Sequence, residues 1–396
     1  MATSINAAKN ILMMAYTYYE SDPRVMREAE AAVNEGFNVD FLALRKVGTA
    51  SSEILNGVRI IRLNQSKYRG GRHHKYLLEY AKFFIRCFAK ATCLHFKRWY
   101  EIIHVNNMPD FLVFSSIIPK MLGAKIILDI HDPMPDTFIS KFKGRKGTFY
   151  YKALIWQEKL SAAFSNRLIT VHHLVKEQIL VGHGISADSI DVVANFADNK
   201  LFPLREHYHI GEKVQFVFHG TILERAGLRM LMVALTQVVL KDRIHVRIIG
   251  EGDFSDELNK MIRKLGLECL VSFENKSYPA HLIPQLIEPC HVGLVTLEVS
   301  PISNYALPLK LLEYISLGLP VITVRNEAIL YYFREDDCIF FDWNNPSSLS
   351  STLDHIAKNP RILFQYRERS IALRNRFSWE NESSKYVALL NRLLGM

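Results

Sequence analysis

The sequence predicts an α/β protein of two domains, each an open parallel sheet covered by helices on both faces. Three observations predict it. Near-continuous apolar runs of strand length alternate with amphipathic stretches, the pattern of strands buried on both sides. The rhythm occurs twice along 396 residues, a length beyond one ordinary core. Between the two halves, near 199–212, NKLFPLREHYHIGEK is polar, aromatic and aperiodic.

In the first half, KNILMMAY reads as a buried strand. A helix follows from Val25, closed by Gly36 in the C-cap position. Strands are expected at 38–44, 58–63, 101–105, 124–132, 167–173 and 189–196, with a helical segment around Phe111–Leu122. In the second half, strands are expected at 214–220, 245–250, 269–275, 291–297 and 320–324. Its helices are expected near 227–240, 255–265, 280–288 and 308–317. The last amphipathic stretch, SWENESSKYVALLNRLL, is a helix with nothing left to extend in its own domain. The expected division is therefore two Rossmann-like domains, 1–200 and 201–377, with a helix at 378–396 crossing back to the first. Two Rossmann-like sheets of this kind direct their strand carboxyl ends toward a shared crevice, where ligands bind.

An apolar fraction of 49% and a charged fraction of 22% are those of a globular protein. Five cysteines without a C-x-x-C pair read as scattered reduced core thiols of a cytosolic protein. No signal-peptide layout and no apolar run of spanning length occur, so no membrane crossing is expected. The net charge of +9 is concentrated between Lys67 and Arg98, where nine Lys/Arg face one acid, Glu79.

Chemistry concentrates near the end of the second half, in LEVSPISNYALPLKLLEYISLGLPVIT (297–323). A loop with two prolines and Asn304 enters a helix near Leu309, whose free N–H groups and positive dipole end suit a pyrophosphate. Lys310 lies in the first turn, where the dipole disfavours a cation unless an anion is present. Glu313, one turn on, can accept from ribose hydroxyls; spacing alone equally allows a surface Lys–Glu pair. In FVFHGTILERAGL, His219-Gly220-Thr221 ends a strand and Arg225 precedes the next helix, as a bidentate phosphate donor or a solvated loop charge. Gly250-Glu251-Gly252 lacks the third glycine of a dinucleotide fingerprint and reads as a tight turn. In the first half, Asp129-Ile-His131-Asp132 follows a strand. Asp22 and Pro23 read as the cap and first residue of the Val25 helix, leaving Arg24 as the better functional candidate. His73-His74 and His172-His173 lack partners at metal-ligand spacing.

Together these segments resemble retaining nucleotide-sugar glycosyltransferases of the GT-B fold, the GT4 or group 1 family. PLKLLEYISLGLPVI is the most specific piece and HGTILERAGL the next. SDPRVMREAEAAVNEGFNVDFLAL, ILDIHDPMPDTF and DVVANFADNKLFP extend the resemblance over nearly the whole chain. It implies a nucleotide-sugar donor, UDP- or GDP-linked, and transfer of a hexosyl or N-acetylhexosaminyl group with retention. The leaving diphosphate helps deprotonate the acceptor, and no bound metal or cofactor is needed. On the donor side it implies Gly220, Thr221, Arg225, Glu274, Asn304, Leu309, Lys310 and Glu313; on the acceptor side, Arg24 and Asp132. His131 lies near the transferred sugar and, with Arg225 and Lys310, forms the catalytic set. A strand-end structural histidine is the other reading of His131. Two departures stand out. Tyr305 replaces the first glutamate of the family's E-x7-E, and Ala226 the lysine after the phosphate-binding arginine. A branch with L-P-x-K-L-x-E-Y shows this arrangement.

On a helix, Lys75, Lys82, Arg86, Lys90 and Lys97 form one stripe. Leu77, Ala81, Phe84 and Phe88 fall opposite, with Phe83 and Leu94 off that face. The segment 67–98 is expected to lie on an anionic membrane, helped by Trp99 and Tyr100; a core-packed helix with a solvated basic face is the alternative. No nucleic-acid motif accompanies the charge. The expected function is synthesis of a cell-surface polysaccharide on a glycan or lipid-linked acceptor, at the cytoplasmic face of the membrane. The competing classes are a nucleotide-sugar epimerase of the same fold and a catalytically silent, membrane-docked binding protein.

Overall fold

The computed structural model describes residues 8–68, 73–142, 146–300 and 303–396, with the side chains of 73 and 140–142 excepted. Arg69, Arg72, Pro301 and the side chain of His73 lie outside the described residues. The chain forms two compact units, Met1–Asn195 with Glu382–Met396, and Phe196–Asn381.

The first unit is built on β1 (Asn10–Met14), β2 (Asn38–Leu44), β3 (Ser52–Leu55), β4 (Val58–Leu63), β5 (Ile102–Asn106), β6 (Lys125–Ile130), β7 (Arg167–Thr170) and β8 (Ile190–Val192). Their order is β3-β4-β2-β1-β5-β6-β7-β8, parallel throughout except for β3 against β4. β1 is central, with Leu12 level with Asp40 on one side and Ile103 on the other. All four residues Ile11–Met14 are fully buried, as a strand covered on both faces requires. The second unit carries β9 (Val214–His219), β10 (Ile244–Ile249), β11 (Val271–Glu274), β12 (Val292–Val295), β13 (Val321–Val324) and β14 (Ile339–Phe341), all parallel, in the order β11-β10-β9-β12-β13-β14. The α/β class and both parallel sheets are those expected.

Local chemistry explains the helix ends. The helix Pro23–Asn34 stops in a Schellman arrangement. Gly36, at φ 97°, donates to the Val33 carbonyl at 2.9 Å, and Phe37 to Ala32 at 3.1 Å. Pro23 opens it as expected, but the Asp22 side chain makes no capping bond. The segment expected as one helix over 111–122 is instead a 3-10 run, Asp110–Ser116, followed by a short α-helix, Ile117–Met121. The last helix runs Trp379–Leu394, and from Glu382 onward it belongs to the first unit. There Tyr386 is fully buried, with its hydroxyl 2.8 Å from His104 Nδ1, and Glu382 accepts the Ala194 N–H at 2.7 Å.

The basic segment forms one long helix, His73–Arg98, but its buried face is not the one expected. Phe83, Cys87, Ala91 and Leu94 enter the core, while Leu77 is 54% and Phe88 36% exposed. The helix lies rotated toward Phe83 and Leu94, because the apolar series Tyr80, Phe83, Cys87, Ala91 and Leu94, at helical spacing, supplies a longer seam against the sheet. The thiols also divide: Cys87, Cys290 and Cys338 are buried and free, whereas Cys93 and Cys269 are exposed. No helix among the described residues is long and apolar enough to cross a membrane.

In the second unit, main chain packs on main chain at the carboxyl ends of the strands. A Cβ on Gly250 (φ 150°) would lie 1.9 Å from the Gly220 carbonyl oxygen, and one on Gly227 (φ 75°) 1.6 Å from that of Thr296. Neither neighbour can yield without shifting a strand end. Gly250→Ala and Gly227→Ala are each expected to cost about 2–5 kcal/mol, from the positive φ and the forced displacement together. Gly211→Ala, where the added methyl meets no atom within 4 Å, is the control expected to leave the calorimetric unfolding midpoint nearly unchanged.

Candidate active site

The donor-side candidates in the second unit fall at the ends of β9 and β12 and at the start of the helix Leu309–Ser316. Leaving β9, the chain turns at Gly220 (φ 113°), exposes Thr221, and makes a 3-10 turn, Glu224–Ala226, before the helix Leu228–Gln237. That turn is stitched to the loop after β12: Thr296 Oγ1 donates to the Ala226 carbonyl at 2.7 Å and the Glu298 N–H to that of Arg225 at 2.9 Å. The Arg225 backbone is therefore held while its side chain is exposed and has no partner among the described residues.

The helix Leu309–Ser316 begins at Pro308 without a side-chain cap. The N–H groups of Leu309 and Lys310 thus stand open in its first turn. The Lys310 ammonium lies 3.5 Å from the centroid of the Phe218 ring and makes no hydrogen bond or ion pair among the described residues. Burial pushes its pKa down to about 7, with Glu313 pulling the other way. A Cβ on Gly220 would stand 3.5 Å from the ammonium, so the glycine leaves the space beside it open. An unpaired, desolvated cation next to free amides is an arrangement that an anion completes.

Glu313 is fixed from behind. Its Oε2 lies 2.7 Å from His219 Nε2, and His219 Nδ1 lies 2.9 Å from the Tyr314 hydroxyl. Tyr314 is fully buried, and Gly293 on β12 makes room for it, since a Cβ there would meet its ring at 2.2 Å. The network assigns the Nε2–H tautomer to His219, donating to the carboxylate. That leaves Glu313 Oε1 free for a ligand hydroxyl. His219 and Tyr314 were not singled out as site residues in the sequence. The signal was there in a histidine closing β9 and a tyrosine directly after Glu313, but their meeting spans 95 positions.

Two donor-side candidates are engaged elsewhere. The Asn304 amide pairs with Glu327, donating to its carboxylate and accepting its N–H at 3.1 Å, at the start of the helix Glu327–Tyr332 that Asn326 caps. Glu274 ends the edge strand β11 and pairs with Arg247 at 3.1 Å and with Tyr278. A groove of about 920 Å³ beside it is lined by Lys213, His245, Arg247 and His291, and by none of Arg225, Lys310 and Glu313. The edge position turns Glu274 toward that groove.

In the first unit, His131 follows β6. Its Nε2 lies 3.0 Å from both Asp129 Oδ2 and Asn106 Oδ1, two acceptors, so Nε2 carries the proton and Nδ1 is left as the open lone pair. Asn107 accepts the His131 N–H at 2.9 Å and donates to the Asp132 carbonyl at 2.7 Å, leaving the Asp132 side chain exposed. Arg24, expected on the acceptor side, is only 3% exposed. Its guanidinium makes two bonds to Asp129, at 2.9 and 3.0 Å, one to the Val193 carbonyl at 2.9 Å, and an ion pair to Glu28 at 3.0 Å. It anchors the carboxylate that orients His131 and has no face left for an acceptor.

Burial opposes charge throughout this cluster, and neighbouring opposite charges override it at Asp129 but not at Glu28 or His104. For Asp129 the burial penalty is outweighed by Arg24 and His131, holding its carboxyl well below the usual range. Glu28, buried and beside Asp129, is pushed well above it despite Arg24, and burial lowers His104. Glu28, His104 and Asp129 offer ligand atoms within 4.8 Å of one another, yet the Arg24 guanidinium lies 3.0 and 2.8 Å from the two carboxylates and occupies the cation's place. Asp129→Asn removes the carboxylate that answers two of the guanidinium's bonds and leaves it with Glu28; it is expected to cost about 3–5 kcal/mol in calorimetric unfolding of this unit, and a loss below about 1 kcal/mol would refute the pair's structural role. Lys310 gives a pH-dependent prediction. Its folded pKa lies below the unfolded value, so its burial penalty is fully present below pH 7 and is relieved as pH rises toward 10. The gain in melting temperature of Lys310→Met over wild type should be largest near pH 7 and shrink by pH 9.5; a gap constant with pH would refute the shift.

Two family models match the chain: Glycosyltransferase Family 4 over residues 24–201 and Glycosyl transferases group 1 over residues 204–373. The chain is 22% identical over 394 residues to an uncharacterized glycosyltransferase of Methanocaldococcus jannaschii, MJ1607, covering 91% of this chain and 90% of the relative. It is 25% identical over 309 residues to the O-antigen biosynthesis glycosyltransferase WclY of Escherichia coli, covering 76% and 81%. Among solved structures, Alr3699/HepE of Anabaena in complex with UDP and glucose superposes with a TM-score of 0.71 at 14% identity, covering 97% of this chain and 100% of that one. Two consecutive family matches, relatives aligned over most of their length and this architecture agree: the chain is a glycosyltransferase of group 1 with the GT-B fold.

Proposed function

We propose that the protein transfers a hexosyl or N-acetylhexosaminyl group from a UDP- or GDP-linked donor to an acceptor, with retention. The observation that carries this reading is the unpaired Lys310 ammonium beside Gly220 and the open N–H groups of Leu309 and Lys310, one turn before Glu313. The diphosphate lies against these groups, and the free Glu313 oxygen accepts from the ribose. As the sugar–oxygen bond breaks, charge builds on the leaving diphosphate. Lys310 and Arg225 stabilise that charge more in the transition state than in the ground state, which lowers the barrier. The acceptor hydroxyl attacks on the face the diphosphate leaves, and its proton passes to the departing phosphate oxygen. His131, with Nε2–H fixed to Asp129, offers Nδ1 to a hydroxyl of the transferred sugar. Two protein cations answer the diphosphate, so no bound metal or other cofactor is required.

The likeness to an O-antigen glycosyltransferase and to a structure holding UDP supports a polysaccharide pathway and a UDP donor. In this reading the acceptor is a glycan on a lipid carrier, and the protein works on the cytoplasmic face of the membrane. The basic helix 73–98 rests on anionic lipid there.

A thermal-shift panel of nucleotide sugars tests the donor site. One donor is expected to raise the melting temperature of wild type but not of Glu313→Gln; no shift with any nucleotide sugar would overturn the reading. With that donor and a lipid-linked acceptor, release of the nucleoside diphosphate should persist in EDTA. Lys310→Ala should slow it by about 10²–10³-fold in kcat, the scale of losing one charge-stabilising group. Abolition by EDTA, restored by a divalent ion, would show a metal in the lysine's role.

A further inference from the structure

One face of the first sheet is covered by three neighbouring elements: the helix 73–98, the 110–121 segment, and the helix Phe149–Phe164. Phe83 and Cys87 from the first, Leu112 and Val113 from the second, and Ala162 from the third enter one core cluster with the strands. The middle segment touches both helices, through Phe84 on Phe111 (ring centroids 6.0 Å apart) and Phe114 on Phe164 (5.0 Å). Since all three bury their inner sides on the same sheet face, their outer sides point the same way.

Those outer sides are apolar. On the 149–164 helix, Phe149, Ala153, Trp156 and Leu160 follow a 4-3-4 spacing that would mark a core stripe, yet Phe149 is 83% and Trp156 65% exposed. Met121 in the middle element is 77% exposed, and on the 73–98 helix Leu78, Ile85 and Phe96 all exceed half exposure. Lysines border the rows: Lys75, Lys82 and Lys97 on one helix, Lys152 and Lys159 on the other, all exposed. The one acid outward among them on the 73–98 helix, Glu79, is paired with Lys82 at 2.7 Å. A wide apolar surface of this kind is seldom left to water.

We propose that this three-element face docks on an anionic lipid bilayer. Phe149, Trp156 and Met121 enter the boundary between headgroups and acyl chains, and the flanking lysines meet anionic headgroups. The proposal rests on the membrane reading above and changes its agent: the charged helix alone does not hold the protein, and the 149–164 helix supplies the insertion. A second copy is the poorer occupant, because a two-fold contact would set lysine rims against lysine rims. A bilayer instead presents an apolar interior beneath a negative surface, matching both features.

Flotation of the full chain with vesicles tests it. Wild type should float with phosphatidylcholine–phosphatidylglycerol vesicles at least tenfold better than with phosphatidylcholine alone, and salt that screens surface charge should reduce its binding to the level seen with phosphatidylcholine. Phe149→Ser with Trp156→Ser should weaken partitioning by about tenfold or more through lost apolar insertion, with unfolding midpoint and donor-induced thermal shift unchanged. Any of three results would overturn the proposal: the double variant floating like wild type, equal binding to uncharged vesicles, or a wild-type dimer that the double variant converts to monomer without any vesicle binding. The donor shift separates the two readings. If it persists while flotation fails, the docking face is wrong and the transferase reading stands; if flotation behaves as expected and no nucleotide sugar binds, the reverse holds.

Discussion

The first unit depends on a single buried cation. Arg24 lies on the opening turn of the 23–34 helix, yet its guanidinium reaches Asp129 on β6 and the carbonyl of Val193 after β8. A desolvated guanidinium is tolerable only when its donors are answered, so these elements must hold their registers for the charge to be satisfied. His131 inherits that precision through Asp129, and Tyr386 and His104 close the far side. The second unit makes the opposite arrangement. Its corresponding cation, Lys310, has an aromatic ring beneath it and no ion pair among the described residues. One unit spends its charge on its own architecture, and the other leaves a charge for a ligand to answer.

Glycine gives the second site its shape. At Gly227 and Gly250 the carboxyl ends of β9, β10 and β12 approach until main chain meets main chain, drawing the Arg225 turn beneath the loop that follows β12. Gly293 acts on the next layer: by admitting the Tyr314 ring against β12 it sets the hydroxyl that orients His219, which orients Glu313. The functional residues at this site are few, and most of the loop geometry exists to aim them.

Much of the fold was legible because a parallel strand buried on both faces writes itself as an apolar run; β2 and β4 match their expected bounds, and Asn10–Met14 and Val214–His219 lie inside theirs. The short edge strands β3 and β14 carry no such run, and the 110–116 turn breaks its helical pattern with a 3-10 geometry that periodicity does not resolve. In the second unit, the proximity of Lys310 and Glu313 was readable, since one helix turn relates them. Arg24, Asn304 and Glu274 have partners that the sequence does not reveal, for a common reason. Each is neutralised or occupied by a partner, Asp129, Glu327 or Arg247, placed beside it by the fold. The same distance hid Asp129 and His219 as orienting groups. The 73–98 helix failed on phase alone: its charge stripe was correct, but two apolar seams competed and burial chose the longer.

The return of the last helix to the first unit makes the second unit an insertion within the first. Synthesis from the amino end therefore delivers β1 to β8 long before the residues that finish their domain, and the pocket awaiting Tyr386 beside His104 stays unfilled until residues 382–396 emerge. The second unit, continuous from Phe196 to Asn381, can mature in the meantime. The second unit thus assembles as a self-contained piece, and the acid–histidine unit is sealed only when the 379–394 helix returns to it, so closure of that core waits on synthesis of the whole inserted unit.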